Sequence, residues 1–203
     1  MKESQTTQSP AGQIRLSQDF FQRSHLIAAR ELVGCTLHWG RTAGIVVETE
    51  AYAAQGDPAC HTSFRPSARR FFEENPPGTA YVYLNYGIYW LLNVLTADGI
   101  VLIRAMEPLR GIRLMQTRRA RTALADLCSG PGKLGQALNL SAEDHGRSLL
   151  STRQFFQSRP TDFSASLVVE DIRVGLSKAK ERPWRFLWKG HNCVSVGYGR
   201  VKP

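Results

Sequence analysis

The sequence predicts a single α+β domain whose sheet is mainly antiparallel. Three strand-like segments, 79–84, 88–95 and 100–106, follow one another with short turns, which is the pattern of an antiparallel meander. Helix-like segments lie before and after this run instead of alternating with it, so a parallel sheet is disfavoured. No internal repeat or linker divides the chain, and 203 residues are enough to bury one core.

The helices are predicted from their capping residues. Ser17 is placed to cap a helix that stops at Gly34, and Pro108 is expected to begin the next one. Ser129 and Pro131 then introduce a short helix. Helices are therefore expected over 19–33, 109–123 and 132–138.

The remaining strands flank the meander on both sides. The polar segment 53–77 lies between two strand regions, and it is too long for a structureless connection. We expect it to be functional or to contain a short helix. Further strands are expected over 36–40, 44–52, 166–176, 183–190 and 193–199.

The charge of the chain indicates a polyanionic partner. Lys and Arg total 26 against 17 Asp and Glu, so the formal net charge is +9 and the pI is about 9.8. Nucleic acid and an acidic membrane surface both fit this surplus. The longest apolar run, 81–95, is interrupted by polar residues and too short to cross a bilayer, so no membrane span is expected.

The cysteines and the N-terminus both indicate an intracellular protein. Cys35, Cys60, Cys128 and Cys193 are far apart with no C-x-x-C pair, so we expect reduced thiols and neither a zinc site nor a disulfide framework. Residues 1–14 lack the apolar core of a secretory signal and are expected to form a disordered arm. The domain itself is expected to span 15–203.

Two glutamates stand out in the predicted strand 44–52. Glu48 and Glu50 are two residues apart, so they share one face with Tyr52, while Thr49 lies on the other. Carboxylates are unusual among the apolar residues of a core strand. Either this face is solvated, or one carboxylate is a general base or stabilises a cationic transition state.

A metal site is an alternative use of the same carboxylates. Glu48, Glu50, Asp57 and His61 could together bind Mg²⁺ or Mn²⁺, as carboxylate-rich loops do in metal-dependent nucleases. Their spacing matches no specific ligand motif. The spacing therefore does not favour a metal ion at these residues.

Two basic segments are candidates for phosphate contacts. The segment 109–125 carries five arginines and no acid, with Leu109, Ile112 and Met115 spaced as a buried helical stripe. Such a helix is either a solvated basic face or a phosphate clamp. The segment 129–133 lacks the P-loop pattern, but a capped helix N-terminus there could hold a backbone phosphate of DNA.

The segment 81–90 concentrates four of the six tyrosines and contains a hairpin turn. A three-residue turn over 85–87 gives Gly87 the left-handed position, pairs Leu84 with Ile88 and leaves Tyr86 at the tip. A two-residue turn would move Asn93 to the face opposite Tyr83, because a one-residue slip inverts the faces. The glycine favours the first register, in which one face presents Tyr81, Tyr83, Tyr89 and Asn93.

Several long motifs in this chain resemble one enzyme family. These are IVVETEAY, His61, PPGTAYVYLNYGIYWLLNV, IVLIRAMEPL, LCSGPGKL and PWRF, and the likeness runs from about residue 20 to about residue 196. The chain resembles the alkyladenine (3-methyladenine) DNA glycosylases of the human type. The resemblance implies an α+β domain with a curved sheet and a protruding hairpin. It also implies a monofunctional base-excision enzyme that flips damaged purines out of DNA.

The resemblance implies roles for the water site. Glu50 matches the glutamate that activates water, and Arg104 matches the arginine that helps to hold this water. The backbone carbonyl of Val174 matches the third water contact, and Glu48 is expected to have a structural role. Hydrolysis of this kind uses no metal, nucleotide or Schiff-base lysine.

The resemblance also implies a base pocket and a wedge. Tyr52, His61 and Tyr83 match the aromatic walls around a flipped base, and Asn93 matches the asparagine that excludes guanine. Tyr86 matches the tyrosine that enters the minor groove and fills the gap left by the flipped nucleotide.

The implied partner is double-stranded DNA that contains damaged purines. The lesions expected are alkylated adenine, hypoxanthine and ethenoadenine, and the enzyme is expected to be a monomer without an obligate protein partner. A bacterial cytoplasm is expected as its location, or the nucleus if the source is eukaryotic. Candidate contacts to the DNA backbone are Arg69, Arg70, Arg118, Arg119 and Lys133.

Two segments depart from the family pattern. Residues 62–75 differ from the stretch expected after His61, which bears on lesion range. Asn85 occupies a position beside the wedge where a bulky aliphatic residue is common. The alternatives are a base-flipping protein that does not cut, a metal-dependent nuclease and a basic architectural protein of the minor groove.

Overall fold

The structure is a computed structural model that describes residues 13–201. The described residues form eight strands, β1 (Thr36–Trp39), β2 (Thr42–Ala53), β3 (Ala80–Asn85), β4 (Tyr89–Leu95), β5 (Gly99–Arg110), β6 (Gln154–Gln157), β7 (Val168–Asp171) and β8 (Arg185–Trp188). They also form seven α-helices, α1 (Gln18–Phe21), α2 (His25–Leu32), α3 (His61–Phe64), α4 (Pro66–Glu74), α5 (Ile112–Arg119), α6 (Leu124–Leu127) and α7 (Pro131–Leu138). None of these helices is long and apolar enough to cross a membrane.

All strands belong to one antiparallel sheet, which confirms the predicted α+β class. The order is β3-β4-β5-β2-β1-β6, and β8 pairs with both β2 and β7. The two longest strands, β2 and β5, pair along most of their length in the middle of the sheet. Their register shifts near Glu48, where an irregularity of this kind bends a strand. The same part of β2 also pairs with β8, so several segments meet at its carboxylates.

The main core lies between the sheet and the helices α2 and α7. Thr49 points to this side, because its hydroxyl donates to the backbone oxygen of Ala29 in α2 at 2.8 Å. Period-two alternation then places Glu48 and Glu50 on the other face, as predicted. The core includes Phe21, Leu32, Leu37, Leu92, Ile103, Met106, Leu134 and Phe156, all buried.

The single helix predicted over 19–33 is wrong, because this segment forms two separate helices, α1 and α2. Ser24 caps α2 by accepting from the backbone N–H of Leu26, whereas within the described residues Ser17 makes no side-chain capping bond. Asp98 also accepts from the backbone N–H of His25 at 2.7 Å, which anchors the start of α2 to the sheet. The break is therefore set by a cap and by a contact that is distant in sequence.

The helix predicted to begin at Pro108 starts later. β5 continues to Arg110, and α5 begins after Gly111, whose φ is +73°. Pro108 pairs with Gly44 beside a register shift, a place where a strand tolerates the missing N–H of proline. Leu109 is consequently exposed and does not join the predicted stripe, while Met115 is buried.

The last third of the chain contains less strand than predicted. Only Val168–Asp171 of the segment 166–176 and Arg185–Trp188 of the segment 183–190 are strands. Beyond Trp188, the described chain forms no strand, because its backbone instead contacts buried charges of the sheet, as at Ser195. Gly130 rather than Ser129 occupies the N-cap of α7. The predicted short helix in 53–77 is confirmed, as α3 and α4.

The predicted arm lies almost entirely outside the described residues. Residues 1–12 are not described, and Ile14 exchanges backbone and side-chain hydrogen bonds with Ser158. The arm and the boundary at residue 15 therefore stay predictions.

Candidate active site

A cavity of about 510 Å³ opens between the β3–β4 hairpin, the segment 58–61 and the segment 174–178. The side chains at its base come from β2 and β5, where the two strands pair. All eight residues predicted for catalysis, the base pocket and the wedge line this cavity, namely Glu50, Tyr52, His61, Tyr83, Tyr86, Asn93, Arg104 and Val174.

Glu50 is fully buried at the base of this cavity, where it accepts two hydrogen bonds and forms one ion pair. The backbone N–H of Val174 donates to its Oε1 at 2.7 Å, and Nη1 of Arg104 lies 3.3 Å from the same oxygen. The hydroxyl of Tyr52 donates to Oε2 at 2.7 Å. A carboxylate offers about four lone-pair sites, so one site on Oε2 stays free for a further donor.

Glu48 has a different environment although it shares the face of Glu50. Its Oε1 accepts from Nε of Arg104 at 2.9 Å and from Nη1 of Arg185 at 3.0 Å. The backbone N–H and the hydroxyl of Ser195 also donate to Glu48, at 2.6 and 2.8 Å. Both glutamates are fully buried, so the solvated-face interpretation is wrong.

Arg104 links the two carboxylates and stays protonated. Burial by itself lowers the pKa of Arg104, but the charges of Glu50 and Glu48 outweigh it, and the net shift is upward. The guanidinium therefore remains a fixed positive charge beside Glu50. Arg185 and Ser195, which complete this network, were not predicted, since they lie far from Glu48 in sequence and follow no spacing rule.

Aromatic rings form the walls of the cavity. The rings of His61 and Tyr83 are 4.4 Å apart, and Nδ1 of His61 lies 2.9 Å from the hydroxyl of Tyr81. Burial, with help from the charge of Arg65, lowers the pKa of His61 to about 4, so its imidazole is neutral at neutral pH. Burial raises the pKa of Tyr83 well above its usual value. Tyr81 lines the cavity too, and the predicted site omitted it.

The predicted hairpin register is wrong by one residue on each strand. Asn85 pairs with Tyr89, and Tyr81 pairs with Asn93. A shift of one residue on both strands keeps the faces unchanged. Tyr81, Tyr83 and Asn93 therefore still share the cavity face, as predicted.

Asn93 is buried and its amide orientation is fixed by the backbone. Its Nδ2 donates to the carbonyl oxygens of Tyr81 at 2.9 Å and Leu91 at 3.4 Å. Both N–H groups are used in this way, which leaves the side-chain oxygen as an acceptor towards the cavity.

Tyr86 stands at the tip of the hairpin and is 84% exposed. Its φ is +51° and that of Gly87 is +69°, so both residues are left-handed, and the backbone N–H of Ile88 donates to the carbonyl of Asn85 at 3.0 Å to close the turn. Gly87 occupies the predicted conformation. A tyrosine in this conformation costs roughly 1–2 kcal/mol relative to glycine. The turn therefore holds a large aromatic ring in solvent at a conformational cost.

The four residues considered for a metal site have other partners. Asp57 forms an ion pair with Arg173, and Glu48 is surrounded by Arg104, Arg185 and Ser195. Among residues 13–201, no group of three or more His, Cys, Asp or Glu side chains is placed to hold a metal ion.

The residues predicted to contact the DNA backbone lie in two regions of the structure. Arg69 and Arg70 are exposed on α4, which follows the cavity-lining helix α3, and Lys133 lies on α7, whose Pro131 lines the cavity. Arg118 and Arg119 instead donate to Ala137 and Gln136 near the end of α7. Their contact with DNA stays a prediction.

Comparison with known proteins identifies the class as DNA glycosylases, hydrolytic enzymes of base excision repair. The family model described as methylpurine-DNA glycosylase matches residues 19–192. The chain therefore belongs to the methylpurine-DNA glycosylase family, and the predicted resemblance is confirmed. DNA is the substrate that this family membership implies.

Relatives from bacteria match three quarters of the chain or more. A protein of Rhodopseudomonas palustris is 41% identical over 189 residues, which are 91% of this chain and 90% of the relative. A protein of Agrobacterium fabrum is 42% identical over 179 residues, 88% and 91% of the two chains. One of Francisella tularensis subsp. tularensis is 44% identical over 158 residues, 75% and 81% of the two chains. All three bear the provisional name 3-methyladenine DNA glycosylase.

Proposed function

We propose that this protein flips a damaged purine out of double-stranded DNA into the cavity and releases it by hydrolysis. The observation that carries the proposal is Glu50, a buried carboxylate with one free lone pair at the base of an aromatic cavity. The purines proposed as substrates are alkylated adenine, hypoxanthine and ethenoadenine. The enzyme is monofunctional and leaves the DNA strand intact.

Glu50 is the proposed base that activates water. Its free lone pair on Oε2 accepts a proton from a water that lies in the cavity, while its negative charge stabilises the sugar cation that forms as the glycosidic bond breaks. Arg104 orients the water and fixes the carboxylate of Glu50. The N–H of Val174 also fixes this carboxylate. The carbonyl of Val174 is the proposed third contact to the water.

The proposed base selection combines stacking and exclusion. Tyr52, Tyr83 and neutral His61 stack on an electron-poor purine more favourably than on a normal base. Asn93, whose amide is fixed by the backbone, crowds the amino group of guanine. Tyr86 replaces the stacking lost when the nucleotide leaves the duplex.

We propose a monomer that acts without an obligate protein partner or cofactor. Relatives from several bacteria support a bacterial cytoplasm as the location. The exposed basic residues of α4 support contacts to the phosphates that flank the lesion.

The test is base release from a duplex that carries one hypoxanthine or one ethenoadenine, in the presence of EDTA. We expect free base, with strand breaks only after alkali treatment. An undamaged duplex and the Glu50→Gln variant are the controls. Activity that disappears with EDTA, or tight lesion binding without release, would contradict hydrolysis by a water on Glu50.

A further inference from the structure

A buried ion pair lies behind the cavity and has no role in the proposed chemistry. Nη1 of Arg173 is 2.6 Å from Oδ2 of Asp57, and Nη2 is 3.0 Å from Oδ1. Arg173 is 2% exposed and Asp57 is 0% exposed. Neither residue belongs to the cavity lining. A two-point contact between a guanidinium and a carboxylate fixes both the distance and the relative orientation of its two segments.

The pair joins two walls of the cavity. The residues that follow Asp57, 58–61, line the cavity, and so do the residues that follow Arg173, 174–178. Nη2 of Arg173 also donates to the carbonyl of Ala179 at 3.3 Å, so it contacts the far end of the second wall. One side chain therefore holds both ends of one wall and the beginning of the other.

The same guanidinium contacts the base of the cavity. Nη1 of Arg173 donates to the carbonyl of Ala51 at 3.0 Å, between Glu50 and Tyr52 on β2. The guanidinium carbon also lies 4.7 Å from the ring centre of Tyr52. Because Arg173 is buried and does not line the cavity, its contact with this ring lies away from the cavity.

Stability alone is a poor explanation of this arrangement. Burial of two charges removes their hydration, and apolar residues of similar volume often stabilise a protein equally well. An apolar pair, however, would not set the direction of the two segments. Each member of the ion pair lies just before a group of the proposed site in the sequence. Asp57 lies four residues before His61 in the first wall, and Arg173 lies directly before Val174, whose amide donates to Glu50.

We infer that Arg173 and Asp57 form a clamp that positions the two walls, the Tyr52 ring and the Val174 amide for base excision. Arg173 and Asp57 are positioning residues, since they act through Glu50, Tyr52 and His61. This inference rests on the proposed function.

The test compares Asp57→Asn, Arg173→Gln and the double variant with the wild type on a duplex that carries one ethenoadenine. The double variant removes both charges together, so it remains informative where a single variant with one unpaired buried group fails to fold. We expect the single-turnover rate at saturating enzyme to fall by about tenfold to a hundredfold, because small displacements of reacting groups are costly. The dissociation constant should change by less than about threefold, since the hairpin and backbone contacts remain.

The fluorescence of bound ethenoadenine supplies a readout that does not need catalysis, because it responds to stacking in the cavity. We expect the clamp variants to bind this base with an altered fluorescence. Glu170→Gln is the control, since it removes an exposed ion pair with Arg30 outside the cavity. This control should leave rate and fluorescence unchanged.

The inference would be overturned if folded clamp variants had the rate and the fluorescence of the wild type. It would also be overturned if the rates of the variants fell only in proportion to their folded fraction, because that result indicates a purely structural role. A wild-type protein that binds ethenoadenine without releasing it would contradict the proposed function, while the fluorescence comparison would still decide on the clamp.

Discussion

The base of the cavity and the tip of the hairpin are built in opposite ways. At the base, Glu48, Glu50 and Arg104 are buried, and each is held by several hydrogen bonds and charges. At the tip, Tyr86 is 84% exposed and projects from the backbone of a tight turn. The base is suited to fixing atoms for a reaction, and the tip is suited to entering another molecule.

The same contrast exists on a smaller scale between the two glutamates. Glu48 accepts four hydrogen bonds, two of them from arginines, and does not line the cavity. Glu50 accepts two hydrogen bonds, pairs with Arg104 and lines the cavity. A carboxylate enclosed by donors away from the cavity is a structural element, whereas one that lines the cavity is available for chemistry. Removal of the negative charge should therefore affect activity at Glu50 and stability at Glu48.

Glu50→Gln should have the largest effect on activity. The amide cannot accept a proton from water, so we expect base release to fall by roughly 10³-fold or more. Lesion binding should persist, because the aromatic walls and the tip are unchanged. Single-turnover release and equilibrium binding on the same duplex measure the two quantities. Appreciable remaining turnover would rule out Glu50 as the base.

Glu48→Gln should act on stability instead. It leaves Arg104 and Arg185 with less compensating charge in a buried environment, so we expect the free energy of unfolding to fall by about 3 kcal/mol. Urea unfolding measures this loss. The folded fraction should retain far more activity than Glu50→Gln. If both variants lost activity to the same extent, the division between the two carboxylates would be wrong.

Local patterns predicted much of this site, because strand periodicity depends only on neighbouring residues. The shared face of Glu48 and Glu50 and the shared face of Tyr83 and Asn93 are confirmed for that reason. The residues on each face of the hairpin were predicted correctly although the register was wrong, because the observed pairing is shifted by one residue on both strands. The eight residues assigned by resemblance also line one cavity.

The remaining contacts depend on residues that are distant in sequence. Ser195 reaches Glu48 and the Val174 amide reaches Glu50 from loops that the strand pattern predicted as strands. Arg173 was likewise placed within a strand, although its partner Asp57 lies in another loop. Long-range ion pairs leave no periodic signal, so the sequence could not distinguish these loops from strands.

Tyr86→Ala tests the tip alone. We expect it to weaken lesion-duplex binding by about 1–3 kcal/mol if the ring stacks in the gap of the duplex. Tyr86→Gly should lose the same affinity but be more stable than Tyr86→Ala by about 1 kcal/mol, because only glycine adopts φ of +51° without strain. Fluorescence anisotropy and thermal unfolding measure the two effects. Unchanged affinity in both variants would leave Tyr86 without a role in binding.

The remaining expected effect is the pH dependence that the burial of His61 gives to the stability of the protein. Burial lowers the pKa of His61 from 6.5 to about 4, so the unfolded chain binds this proton at a higher pH than the folded chain does. The stability that neutral His61 contributes is therefore complete above about pH 6.5 and is lost as the pH falls towards 4.

The difference in urea midpoint between the wild type and His61→Gln, measured from pH 7.5 to 4.5, isolates this effect. Burial also lowers the pKa values of His38 and His145, but both variants share these contributions, so the subtraction removes them. We expect the advantage of the wild type to shrink as the pH falls. An NMR titration should show the His61 imidazole neutral at pH 5.5. Protonation of this imidazole near pH 6.5 would contradict a desolvated, neutral His61 in the cavity wall.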